Sequence, residues 1–224
     1  MADGTLALIG GGEFTDGCSF DETLLARSGA AEVAVIPTAA AFERPAKLLE
    51  AAEGWFSGLG ARVAPIMALR RRDAFDATFV STARRARFLY LVGASPMHMI
   101  PVLKRTPLWE AIVDAYREGA VLAAAGPSAV ALCDAMVDPR GGGFGLGLGL
   151  VDRLALVPRY DRWSEDKVRR TIRLAPQGLA LCGIDERTAL ISDPDGRWRV
   201  EGAGNVDVFV DGERTGIESL AALV

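Results

Sequence analysis

Val121-Leu122-Ala123-Ala124-Ala125-Gly126-Pro127-Ser128-Ala129-Val130 decides the fold class. Five uncharged apolar residues have the length and texture of a strand buried on both faces, as in a parallel sheet covered by helices. Gly126-Pro127 closes that strand, and Ala129-Val130-Ala131-Leu132 resumes as an apolar helix, so the segment reads strand, sharp turn, helix. A serine at such a turn is the nucleophile-elbow arrangement. Ser128 is therefore the candidate nucleophile, and the backbone N–H of Ala129 can help hold an oxyanion. The competing reading of Ser128 is a helix N-cap.

The same alternation extends outward from this stretch. Thr5 to Ile9 reads as a strand opening into Gly10-Gly11-Gly12-Glu13, Ala31 to Ile36 as one ending at Pro37-Thr38, and Phe88 to Val92 as one opening into Gly93-Ala94-Ser95-Pro96. Pro45 to Leu59, Ala74 to Ala86 and Pro107 to Glu118 carry helical patterns, with Thr106 as N-cap and Pro107 at the first helical position of the last. A strand over Arg62 to Met67 follows the first of these. Strands alternating with helices define an α/β protein, a mainly parallel sheet with helices on both faces, in a single domain over 1–224. Asp138 to Gly149 reads as a loop or hairpin, Leu154 to Val157 as a strand and Asp161 to Leu174 as a charged helix. Beyond Gly178 come short β runs, Leu179 to Cys182, Ala189 to Ser192, Trp198 to Val200 and Val206 to Val210, expected to extend the sheet antiparallel.

Composition narrows the chemistry. The 224 residues carry 25 Lys plus Arg against 29 Asp plus Glu, a net charge of −4, which offers no electrostatic footprint for nucleic acid. The three cysteines, Cys18, Cys133 and Cys182, lack C-x-x-C spacing and read as reduced core thiols, with no metal site expected. The glycine loop after the first strand lacks the third glycine of a dinucleotide fingerprint and the Lys-Ser/Thr of a P-loop, so no cofactor is expected. With no signal-peptide pattern and no apolar run of membrane-spanning length, a cytoplasmic location away from membranes is the expectation. His98 is the sole histidine, which restricts any general-base mechanism that uses imidazole.

The ordered set of motifs resembles the dipeptidase E and cyanophycinase family of serine peptidases, with its class I glutamine amidotransferase-like fold. The residues carrying it are Gly10-Gly11-Gly12-Glu13-Phe14, Pro37-Thr38-Ala39-Ala40, Gly93-Ala94-Ser95-Pro96-Met97-His98, Gly126-Pro127-Ser128-Ala129, Val157-Pro158-Arg159-Tyr160-Asp161 and Gly183-Ile184-Asp185-Glu186. The resemblance implies a flavodoxin-like three-layer sandwich and a Ser, His, Glu triad acting on small or acidic peptides. Ser128 falls at the nucleophile, Glu186 at the acidic member, and Gly93 with Ala94 where a Gly-Gly pair would donate an oxyanion N–H.

Two departures stand out. Arg159 occupies the place of the family's catalytic His, and a guanidinium stays protonated and cannot take a hydroxyl proton. After Ser128-Ala129 the family continues Gly-Ala where this chain has Val130-Ala131, as though a glycine were replaced or about two residues were missing. His98 is an alternative base from an unusual direction. Two readings follow: a serine peptidase-like hydrolase, or a catalytically inactive homologue that binds a small molecule or short peptide. The second expects a buried Arg159–Glu186 pair in the vacated base position. Arg169, Arg170 and Arg173 read as an exposed charged helix face or an anion-binding rim, and a homodimer is the default assembly.

Overall fold

The apolar runs become strands in the computed structural model, which describes residues 3–222. Its first half comprises β1 (Leu6–Ile9), α1 (Phe20–Ser28), β2 (Glu32–Ile36), α2 (Pro45–Gly58), β3 (Arg62–Pro65), α3 (Ala77–Arg85), β4 (Phe88–Leu91), α4 (Pro96–Leu103), α5 (Pro107–Arg117) and β5 (Val121–Ala125). There follow α6 (Pro127–Leu132), the hairpin strands β6 (Ala135–Val137) and β7 (Phe144–Leu146), β8 (Leu154–Pro158), α7 (Glu165–Arg173) and β9 (Ala180–Ile184). Four short strands come last, β10 (Thr188–Ser192), β11 (Trp198–Gly202), β12 (Val206–Val210) and β13 (Glu213–Thr215).

The main sheet has seven strands in the order β11-β10-β1-β5-β4-β2-β3. Its five central and right-hand members are parallel, and β10 and β11 add antiparallel at the β1 edge. A flavodoxin-like sheet runs 2-1-3-4-5. Here the chain's first strand stands where that order places its last.

Side chains alternate across the pleat. Leu6 and Leu8 enter a core with α3 to α6, whereas Ala7 and Ile9 enter one with α1 and α2. Local chemistry sets the helix starts. The Asp76 carboxylate accepts from Thr78 N and Phe79 N (2.8 and 3.2 Å) at the head of α3, and Thr106 Oγ1 accepts from Trp109 N at the head of α5.

The expectation that every late strand extends the main sheet holds for β10 and β11 and fails for the others. Strand β9 lies in a separate four-stranded sheet, β13-β12-β9-β8, where it pairs parallel with β8 and antiparallel with β12. The cause is the helix between: β8, α7 and β9 form a strand-helix-strand crossover, and such a crossover brings its strands together parallel. One face of this sheet, with Leu154, Leu156 and Cys182, joins the main core, and the other, with Val157, Leu181 and Phe209, lies under Ile172 of α7.

The core beneath α1 and α2 holds one costly group. Phe14, Phe56, Phe88 and Tyr90 pack with ring centroids 5.1–6.1 Å apart, and the fully buried Asp21 carboxyl is set among them. The Trp55 indole N–H donates to its Oδ2 at 2.9 Å, while Asp21 Oδ1 and the Tyr90 hydroxyl lack hydrogen-bond partners among the described residues. Burial pushes the Asp21 carboxyl up to about 7, against the pull of the Trp55 hydrogen bond. The unfolded chain releases this proton near pH 3.9, so the stability that Asp21 contributes is full below that pH and is lost as pH rises towards 7. In urea titrations the wild-type chain should therefore lose stability relative to Asp21→Asn across this window, at up to ~1.4 kcal/mol per pH unit. A difference between the two proteins that stays constant with pH would contradict the assignment.

Candidate functional site

The carboxyl ends of β1, β4 and β5 open on one edge of the main sheet, the edge where ligand crevices form in α/β folds. Because β10 is antiparallel and pairs Ala189 with Ile9, its first residues arrive at the same edge and bring Glu186 with them. The β8 end is tied in by the Arg159 N–H, which donates to Gly10 O at 2.8 Å. Arg159 and Glu186, 27 residues apart in sequence, thus meet over the glycine loop. A Cβ at Gly11 would stand 3.1 Å from Arg159 Nε.

Arg159 Nε lies 3.3 Å from Glu186 Oε1, and Arg162 Nη2 lies 3.1 Å from Glu186 Oε2. The Glu186 N–H donates to Asp161 Oδ1 at 3.0 Å. The Arg159–Glu186 pair expected from the sequence has formed, but it is not buried: the arginine side chain is 58% exposed and the glutamate 21%. Arg159 itself adopts a left-handed backbone, φ 52° and ψ 45°, before the 3-10 turn Tyr160–Arg162. Glu13, on the loop from β1, is partly sheltered. Burial pushes its carboxyl up, and the Arg159 charge is among the influences opposing that rise.

Ser128 is the second residue of α6, is fully buried, and donates its hydroxyl to Gly93 O at 3.1 Å. The Ala129 N–H is spent inside the turn, on Gly126 O at 3.0 Å. The strained residue of the strand-to-helix turn is Gly126, with φ 55° and ψ −130°, a combination that glycine tolerates and other residues adopt under strain. A Cβ built there would meet only Gly11 Cα, at 3.9 Å, so it would project into the space shared with the arginine corner.

In a nucleophile elbow the strained residue of the turn carries the reactive side chain. The sequence reading gives that role to Ser128, whereas the strained backbone of this turn belongs to Gly126, two residues earlier. The signal was the two-residue shortfall after Ser128, which disappears when Gly126-Pro127-Ser128-Ala129 is set against the family's Ser-Ala-Gly-Ala.

The remaining candidates divide. Ala94 is exposed, has no positive φ, and lines a cavity of about 320 Å³ with Arg159. Gly93 contributes the carbonyl that holds Ser128. His98, on α4, donates Nε2–H to Leu69 O at 2.8 Å and packs edge-on against Phe42, so its hydrogen bond is made to the loop after β3 and not to Ser128 or Glu186. Cys18, Cys133 and Cys182 are buried free thiols, and burial pushes Cys182 up to about 12. Of the α7 arginines, Arg169 pairs with Glu165 and Asp166 on its own helix, and Arg170 caps Arg140 O.

An α/β domain with a strand-turn-helix elbow over a glycine loop, flanked by an acidic residue in the turn that leads into an antiparallel strand, is the architecture of a hydrolase scaffold. Residues 6–197 match the sequence model of Peptidase family S51, and the chain belongs to that family. It is 28% identical to proteins named cyanophycinase from Nostoc sp. and from Trichormus variabilis, over 93% of this chain and 74% of each relative. In fold it is similar to a peptidase from an acI-B1 Actinobacterium, with TM-score 0.86 and 24% identity, covering 96% of this chain and 93% of that one. It is also similar to a putative peptidase E protein from Listeria monocytogenes, with TM-score 0.66 and 18% identity, covering 96% and 100%. Among the described residues no helix is long and apolar enough to cross a membrane.

Gly10 sets the distance between β1 and the corner that carries Glu186. A Cβ there would lie 2.1 Å from Asp185 O and 2.4 Å from Ile184 O. Gly10→Ala should cost about 3 kcal/mol of stability through this backbone overlap, read as a lowered urea midpoint. A loss below about 0.5 kcal/mol, the ordinary effect of a surface substitution, would refute the close packing.

Proposed function

We propose that this chain is a non-hydrolytic S51 homologue of flavodoxin-like design, whose crevice is kept for binding a small molecule or short peptide. One observation carries the reading: at the corner where nucleophile and base would face each other, the chain presents a glycine, Gly126, and a guanidinium, Arg159. Arginine remains protonated at any working pH and cannot serve as general base. The nearby hydroxyl, Ser128, is sealed from the crevice and already bonded. Relatives named as cyanophycinases and peptidases make a peptide or amide the natural ligand class, and acidic groups suit the arginine corner.

The second reading, a serine hydrolase with Ser128 as nucleophile and Glu186 orienting its base, is favoured by family membership. It requires Ser128 to emerge from a fully buried position.

Labelling with a broad fluorophosphonate, read by intact mass, separates the two. The wild-type protein should remain unmodified, as should Ser128→Ala, whereas Gly126→Ser combined with Arg159→His should gain one adduct. Wild-type labelling that vanishes in Ser128→Ala would overturn the non-hydrolytic reading.

A further inference from the structure

Beside the Arg159 corner lies a cavity of about 320 Å³, the size of a small-ligand pocket. Its walls are sharply divided. Pro127, Val130, Val137 and Pro158 form an apolar side continuous with the elbow, and the charged side chains that line it are Arg159, Arg162 and Lys167, all cations. Trp163 completes the lining, with Lys167 Nζ 4.4 Å from its ring centroid.

The charges can be counted. Glu186 takes Arg159 and Arg162, and Asp161 takes Arg162 a second time. Lys167 has no carboxylate within salt-bridge distance among the described residues and rests on an aromatic face. Glu13 adds a third carboxylate near Arg159, so the arginine end is compensated, and Lys167 is the one lining cation without a carboxylate partner among the described residues, at the rim of an apolar cavity. Charge complementarity there asks for a single negative charge; a dianion would reverse the sign of the corner.

We infer that this cavity takes a small organic monocarboxylate with an apolar body, of the size of one aromatic ring or a branched alkyl chain. The body occupies the proline and valine wall, and the carboxylate sits among Lys167, Arg162 and Arg159. The inference rests on the reading of the crevice as a binding site, and it names a ligand recognised by an apolar body and one charge. Burying an aromatic ring against the wall supplies most of the affinity, since the rim charges stay partly hydrated.

The test uses the full chain and four probes in calorimetry, with Trp163 fluorescence as a second signal: hydrocinnamate, its neutral amide, phenyl phosphate and succinate. Hydrocinnamate should bind, the amide about fivefold more weakly, phenyl phosphate more weakly than hydrocinnamate, and succinate not measurably at millimolar concentration. Lys167→Met, which keeps the aliphatic stem, should remove the preference for acid over amide and leave amide binding unchanged. Ala94→Trp, at an exposed position on the cavity wall, should block all binding without disturbing the core. Equal binding of acid and amide, tighter binding of phenyl phosphate or succinate, or absence of hydrocinnamate binding would each overturn the proposal. The outcome is separable from the question of hydrolysis. Fluorophosphonate labelling of the wild-type protein would sink the non-hydrolytic reading whatever the probe ranking, and a failed ranking in an unlabelled protein would sink the ligand class alone.

Discussion

The candidate site hangs on the backbone of Ile9, Gly10 and Gly11. Gly126 N donates to Ile9 O (2.7 Å), Gly10 N to Thr188 O (2.9 Å), Arg159 N to Gly10 O (2.8 Å) and Arg187 N to Gly11 O (2.7 Å). Four hydrogen bonds on three residues thus gather the β5–α6 turn, the β8 end and the β9–β10 corner. Leaving a buried backbone group unpaired costs about 1–3 kcal/mol, so each of these contacts is hard to give up. Close approach of this kind also explains the glycines, since the backbone of the β9–β10 corner occupies the space a side chain at position 10 would need.

This arrangement separates the positions of the site residues from their chemistry. Arg159 is held by its backbone N–H and by the 3-10 turn that follows it; its guanidinium adds little, because an ion pair this exposed contributes about 0–1 kcal/mol. The scaffold would place a histidine or an arginine at position 159 with nearly equal ease. A side chain can therefore change at this corner without cost to the fold, and an arginine at position 159 is compatible with the S51 architecture.

Much of this was legible in the sequence. The uncharged runs Leu6–Ile9, Phe88–Leu91 and Val121–Ala125 announce buried parallel strands, and Thr106-Pro107 announces the start of α5. The encounter of Arg159 with Glu186 followed from family motifs and not from spacing, because a separation of 27 positions carries no local signal of contact. Strand β9 was misplaced because a five-residue apolar run does not encode its partner; the α7 crossover does, through its connection to β8. Helices α1 and α4 carry weak local signals for related reasons. Helix α1 has almost no one-sided apolar stripe, and α4 is apolar throughout with Pro101 inside it. At the elbow the sequence shows where a serine is and not which residue takes the positive φ. Only the backbone reveals that Gly126 makes the turn.

The proposed non-hydrolytic role draws on burial: the Ser128 hydroxyl is inside and the Arg159 cation is outside. Bringing Ser128 to the crevice means breaking its bond to Gly93 and turning out a helix whose residues Ser128 to Leu132 are all buried. Each aliphatic side chain exposed in that movement, Val130 and Leu132 among them, costs about 1.5–3 kcal/mol. A domain stabilised by roughly 5–15 kcal/mol in total has little room for such a rearrangement. The side chains already at the surface of the crevice are the three cations, Trp163 and the apolar wall, and it is on these that the proposed recognition role rests.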